Sequence, residues 1–292
     1  MPMPVPSGLS QTSDNYARLQ AAMADGGFSL PAGVFPVSRA LVAPVACTLE
    51  GENSYRSVLK MTSSAQPAIS MTDGARLTIK GVGLTGTGIT GTAPGLQILR
   101  QANPSTFGLL LDDVVIQQFG GDGINAVEAN LIVSSLRRVT CENLGGFGFN
   151  VTGVPGGAAG TSVAFTSCFA TACAKSAYRL QKMNYSRFDA CAADACGTGY
   201  VLEDCQGIGF TASGTEGIAA TGTDMHSDGT SFRVDGCTGI DFGDACWTYG
   251  NSHLVLRVSG GSVNVRGHIT ENSPLPAAAG AVMVDSGSQY GG

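Results

Sequence analysis

The sequence predicts an all-β solenoid, a parallel β-helix, and three observations carry that expectation. One spacing recurs between Val139 and Glu216. Cys141, Cys168, Cys191 and Ser213 lie 27, 23 and 22 residues apart, and Phe165, Phe188 and Phe210 keep steps of 23 and 22. Cys173 and Cys196 are 23 apart, while the pairs Tyr178/Tyr200 and Leu180/Leu202 are each 22 apart. A repeat of this length marks a solenoid. The residue types decide which kind: VAFTSC, YRLQKM, SRFDAC and GYVLEDC are short apolar alternations broken by turn residues, not paired amphipathic helices. The fixed Leu and Asn spacing of leucine-rich repeats is missing. In a parallel β-helix each coil makes two or three short strands, and each strand pairs with its equivalent one coil on. Residues one period apart then stack about 4.8 Å apart. The Cys, Phe, Tyr and Leu ladders fill the interior, where free Cys behaves as a small buried hydrophobe.

Length and composition agree. The 292 residues suffice for one large domain with a substantial core. The 42 glycines without a G-x-y period fit a fold that turns corners every few residues, and charged residues make up only 13%. A net charge of −6 argues against a nucleic-acid partner, which calls for a basic patch. Nine cysteines, an odd number placed on the repeat rather than in pairs, are expected as buried thiols and not as disulfides. The C-x4-C pairs Cys168/Cys173 and Cys191/Cys196 do not match common zinc spacings and the three His are scattered, so no metal or other cofactor is expected. No apolar run reaches the length of a membrane span. MPMPVPSGLS lacks the basic and apolar regions of a signal peptide, so synthesis in a cytosol is expected.

Along the chain, residues 1–12 read as a flexible Pro- and Ser-rich leader. SDNYARLQAAMADGG follows as one short amphipathic helix, capped by Ser13 or Asp14, with Tyr16, Leu19, Ala22 and Met23 on its apolar face and Gly26-Gly27 ending it. Residues 13–60 are read as this cap and the first strands, and residues 61–292 as the coils. GGDGIN (120–125) and GGFGFN (145–150) align at a step of 25, which puts Ile116 under Cys141. GVPGGAAGTS (153–162) reads as a bulge or insertion, and the segment after Glu216 as an inserted loop with a returning strand.

Two stretches carry a resemblance. DNYARLQAAM followed by LPAGVFPVSRALVAPVACTLEGE and SVLK resembles the opening of pectate-lyase-like, single-stranded right-handed parallel β-helix domains. In those domains the helix caps the open first coil, and LPAG-x-F begins the spiral. The ending GSVNVRG…SGSQ resembles later coils of bacteriophage tailspike β-helices. That resemblance implies a virion-tail protein made in a bacterial host. It also implies a homotrimer, in some cases with sites between subunits, and a chain that is a compact or cut-down form of longer relatives. The implied function is a depolymerase that binds a bacterial surface polysaccharide, capsule or O-antigen, and cleaves its glycosidic bonds.

A β-helix interior is packed, so chemistry belongs on its outer face or loops. The clearest outer pair is Asp194 and Glu216, each three residues after a ladder residue, Cys191 and Ser213. The equivalent positions in earlier coils are read as Thr171, Leu144 and Phe119. Carboxylates on adjacent coils offer what glycoside hydrolysis needs: an acid for the leaving oxygen and a base or nucleophile. Asp194 and Glu216 are the expected catalytic pair. Arg179, Lys182, Asp224, His226, Trp247 and Tyr249 are the candidate substrate-binding residues, the cations and loop groups for sugar oxygens and the rings for stacking. Glu142, Asp189, Asp122, Asp228, Asp241 and Asp244 read as solvated or turn acids. A pectate-lyase mechanism would need a calcium-binding Asp cluster and an Arg base, which ranks a lyase below a hydrolase. No G-x-S-x-G motif supports a serine hydrolase. A non-catalytic glycan-binding adhesin or tail-fibre module stays as the alternative, since this fold also hosts pure binders.

Overall fold

The computed structural model describes residues 3–44, 46–72, 76–99, 106–154, 160–222, 225–250 and 255–265, with the short strands Ile269–Glu271, Val282–Val284 and Gln289–Gly291. It is a β-solenoid of about nine turns with one helix among the described residues. One coil shows the plan. Gly160–Thr166 and Phe169–Cys173 form two faces that belong to a bent 20-stranded sheet, and Ser176–Gln181 forms the third face, in a 10-stranded sheet. Each described pairing is parallel and joins equivalent segments of successive coils. The expected register of Ile116 under Cys141 is observed.

Two aromatic columns fill the middle of the interior. Leu136, Phe165, Phe188, Phe210 and Phe242 are in register on the first face. Phe149, Tyr178, Tyr200, Phe232 and Leu256 are in register on the third. All are buried. Rings within a column stack at 4.6–5.0 Å with planes within 15°. Between columns they meet edge to face, as Tyr200 meets Phe210 at 5.4 Å and 90°. Each such pair contributes about 1 kcal/mol beyond its area burial.

The thiol ladder corrects one expected alignment. Cys168, Cys191, Ser213 and Cys246 share a column, because the residues that follow them pair in register. Cys141 is not beneath Cys168; it pairs with Ala170. The coil between them is two residues longer than the cysteine spacing suggests. The extra length falls near the expected insertion at 153–162, of which 155–159 lie outside the described residues. Leu144 consequently points inward and pairs with buried Cys173. Phe119 is buried beneath Leu144. Neither is on the outer column assigned to it. All nine cysteines are free and buried.

Coil corners use the left-handed backbone region, often at residues other than glycine. Arg138, Ser167, Ala190, Ala212 and Ala245 adopt φ of 47–62° at one corner, and Asn143, Ala172 and Ala195 adopt 49–52° at the next. Each forgoes about 1–2 kcal/mol of backbone preference. The turn aims its N–H at the following coil: Ala195 N donates to Glu216 O at 2.9 Å.

The helix α1 (Tyr16–Ala24) covers the first coil with buried Leu19 and Met23. Asn15 is its N-cap, not Ser13 or Asp14. Its side-chain amide is drawn instead to the carbonyls of Ser10, Ser13 and Pro36. Asp14 still accepts from Tyr16 N at 3.1 Å and from the Ser38 hydroxyl at 2.6 Å. Residues 3–12 run beside this cap, where Ser29 N donates to Pro4 O and Leu9 packs against the core.

The loop after Glu216 leaves the solenoid and returns at Phe232–Asp235. It lies back across earlier coils. Thr221 Oγ1 donates to Ala174 O at 2.7 Å, Ser176 Oγ to His226 O at 3.3 Å, and the His226 ring meets Phe147 edge-on at 5.1 Å. Asp228 pins its end by accepting from Arg233 Nη1 at 2.7 Å and from Thr198 Oγ1 at 3.2 Å.

Candidate functional site

Two outward columns on the second face build a cleft. Thr140, Phe169, Ala192, Gly214 and Trp247 are in register, and two residues further along each strand so are Glu142, Thr171, Asp194, Glu216 and Tyr249. Between them Cys141, Ala170, Ala193, Thr215 and Thr248 point inward and are buried, as strand alternation requires. The sequence reading of Asp194 and Glu216 as an outward pair one coil apart is therefore what the structure places. Their backbones are separated by one inter-strand step, about 4.8 Å. Asp194 is half-buried and Glu216 exposed.

The cleft encloses about 270 Å³. Ala192 and Gly214 form its floor, Phe169 and Trp247 its ends, Asp194 and Glu216 one side, and the corner residues Ala190, Ala212 and Ala245 the other. The corners leave only methyl groups on that side. Gly214 is fixed by close approach: a Cβ there would sit 2.2 Å from the Trp247 carbonyl oxygen. The floor is also held from inside. Tyr178 OH donates to Ala192 O at 3.1 Å and Tyr200 OH to Gly214 O at 3.3 Å. The interior aromatic column thus anchors the two strands that carry Asp194 and Glu216.

Trp247 and Tyr249 stand on one strand with their rings 5.8 Å apart and 3° from parallel. They are 38% and 43% exposed, which leaves flat apolar surface for a ligand ring. Every ionised side chain lining the cleft among the described residues is a carboxylate.

The remaining candidates lie elsewhere. Arg179 is on the third face. Its Nε bonds Glu203 at 2.7 Å, and its other nitrogens bond Asn150 and Gln181. It belongs to a charged ladder completed by Arg233, which bridges Asp228 and Asp235. Lys182 occupies the corner at the end of that face, with φ 53°. His226 lies in the folded-back loop against Phe147. Asp224 lies outside the described residues. The structure therefore brings four of the expected residues together, Asp194, Glu216, Trp247 and Tyr249, and keeps Arg179, Lys182 and His226 apart from them.

Sequence reasoning missed Phe169, the opposite end wall, and the place of Glu142 at the foot of the carboxylate column. Asp122, read as a turn acid, is a structural acceptor: it takes bonds from Asn125 Nδ2, Asn150 Nδ2 and Phe147 N at 2.6–2.9 Å.

No protein-family model matches the sequence, and comparison with curated proteins gives no match. Solved structures share the fold. The enzymatically active domain of bacteriophage CBA120 tailspike protein 2 superposes with a TM-score of 0.73 at 13% identity, over 99% of this chain and 47% of that one. The chain thus spans about half the length of that tailspike domain. The A-module of the Azotobacter vinelandii mannuronan C-5 epimerase AlgE6 matches with a TM-score of 0.60 at 16% identity, over 98% of each chain. An alginate lyase from Paenibacillus sp. gives 0.62 at 12% identity, over 92% of this chain and 97% of that one. At these identities the likeness establishes the right-handed parallel β-helix and nothing finer.

Proposed function

We propose that this chain is a polysaccharide depolymerase of the phage-tailspike type, which binds a bacterial surface glycan and hydrolyses its glycosidic bonds with Asp194 and Glu216. The observation that carries the reading is the pairing of two in-register carboxylates with the exposed Trp247 ring in one cleft, with Tyr249 stacked beside that ring. An aromatic face meets the C–H face of a sugar ring and holds it in place. One carboxylic acid then protonates the leaving oxygen while the other carboxylate attacks or activates water. Proteins that share the fold include an enzymatically active tailspike domain, a mannuronan C-5 epimerase and an alginate lyase, and the last two act on sugar polymers, which supports that substrate class. Work at a virion tail and assembly as a homotrimer belong to the same proposal.

The test is incubation with a panel of capsular and O-antigen polysaccharides, following new reducing ends together with the ultraviolet absorbance of unsaturated products. Reducing ends without absorbance mean hydrolysis. A rise in absorbance means elimination and removes the acid–base assignment. Binding without either product favours the adhesin reading.

A further inference from the structure

We infer that the cleft selects an uncharged sugar unit, a neutral hexose or N-acetylhexosamine, and rejects units bearing carboxylate or phosphate. This deepens the proposed function and rests on it for the word "sugar"; the charge selection stands on the cleft alone.

The end walls come from Phe169 and Trp247, whose strands are three inter-strand steps apart, about 14 Å. Ala192 and Gly214 between them carry almost no side chain, so the gap is a slot of about 270 Å³ bounded by rings at its ends. One long side holds two carboxylates and the other the three alanines of the corner column. An anionic unit entering this slot would approach Asp194 and Glu216 with no lining cation among the described residues to compensate it, and like charges at such distances repel. Arg179 and Arg233 are held on another face, by Glu203 and by Asp228 and Asp235, and Arg187, on the first face of the coil that carries Asp194, does not line the slot. A neutral ring meets none of that repulsion, and its hydroxyls donate to the carboxylates while its C–H face lies on Trp247. The reaction class follows. β-Elimination acts on a uronate whose carboxylate must be neutralised as the adjacent proton leaves. This lining supplies more negative charge at that point, whereas hydrolysis of a neutral glycoside needs only the two acids and water.

Trp247 is the single tryptophan of the chain, so its fluorescence reports the slot alone. Two arms keep the inference separate from the function it rests on. In the first, caesium and iodide quench Trp247 at constant ionic strength. With each ion's quenching normalised to its quenching of free N-acetyltryptophanamide, caesium is expected to be about three-fold more effective than iodide, and Asp194→Asn with Glu216→Gln should erase the difference. Equal quenching in the unaltered protein overturns the charge selection whatever the protein does to glycans. In the second, neutral and uronate-containing oligosaccharides are titrated against the same signal. Neutral ones are expected to shift it, with the shift lost in Ala192→Phe, a change of an exposed floor residue that leaves the core intact. A uronate that binds and is excluded by Ala192→Phe overturns the substrate class. Caesium preference with no response to any sugar leaves the charge selection standing and removes the depolymerase reading.

Discussion

Asp194 and Glu216 are register partners on adjacent coils, and Tyr249 is the next residue in the same column. Their side chains point away from the core, so their removal is predicted to cost activity and not fold. Asp194→Asn and Glu216→Gln should each lower cleavage about 10²–10⁴-fold, with thermal midpoints close to that of the parent by circular dichroism. A large fall in midpoint would instead make them structural.

The tyrosine hydroxyls under the cleft predict a split between stability and chemistry. Tyr200→Phe keeps the ring stack but leaves Gly214 O without its donor. A loss of about 1 kcal/mol is expected in urea titration. Turnover should fall further than stability explains, because the strand of Glu216 loses its tether.

Arg233 and Asp228 form a largely buried pair, with side chains 13% and 12% exposed. Asp228→Ala strands the guanidinium beside Asp235 alone and releases the end of the folded-back loop. The expected cost is about 2–4 kcal/mol, together with new proteolytic cleavage between residues 217 and 231 under native conditions.

The corner alanines predict an inversion of an ordinary rule. Ala195→Gly, at φ 49°, relieves the Cβ clash of the left-handed region and should be neutral or stabilising by up to about 1 kcal/mol. Ala170→Gly, on a buried strand, should destabilise by about 1 kcal/mol. Chemical denaturation of the two variants side by side checks both signs.

Charge and burial set two responses to reagents and pH. Burial pushes the Cys141 thiol well up and the Cys47 thiol up to about 11. Cys141 and Cys47 should therefore resist alkylation in the native protein and react only after unfolding. Asp112 is held below the usual carboxylate range, first by its hydrogen bond from Arg137 and further by the nearby Arg138 charge, despite partial burial. A depressed folded value means that its stabilisation is present above its unfolded pKa, near 3.9, and is lost as pH falls through the folded value. Asp112→Asn should flatten that part of the acid limb and lower neutral-pH stability by the same small amount, under about 1 kcal/mol for so exposed a pair.

Much of the architecture was legible because its periodicity is written in bulky residues. Phe188 and Phe210, or Tyr178 and Tyr200, announce their stacking by type and step. Asp194 and Glu216 were legible for the same reason: the coil between them is regular. Glu142 was not, because 29 residues separate it from its register partner Thr171, and the cysteine spacing suggested 27. A chemically plausible Cys141–Cys168 stack therefore displaced the true register by two residues, and that shift assigned inward Leu144 to the outer column. Trp247 was recognised as a sugar-stacking candidate, but its alignment with Phe169 depends on the excursion after Glu216, which lengthens one coil without moving its strands. Arg179 shows the opposite limit. Residue type marked it for a substrate, while Glu203, one coil away on the neighbouring column, already holds it.

The folded-back loop has a consequence for how the molecule comes apart. In a plain solenoid each turn touches only its neighbours, so denaturation can begin at an end and run inward turn by turn. Here Phe147, Ala174, Ser176, Thr198 and Arg233, spread over four successive turns, are all joined to one excursion of the chain. That excursion acts as a clasp. The turns beneath it, which carry Asp194 and the floor of the cleft, must yield together. Under axial force, this section should rupture in a single large extension step, flanked by the smaller, sequential steps of the unclasped ends.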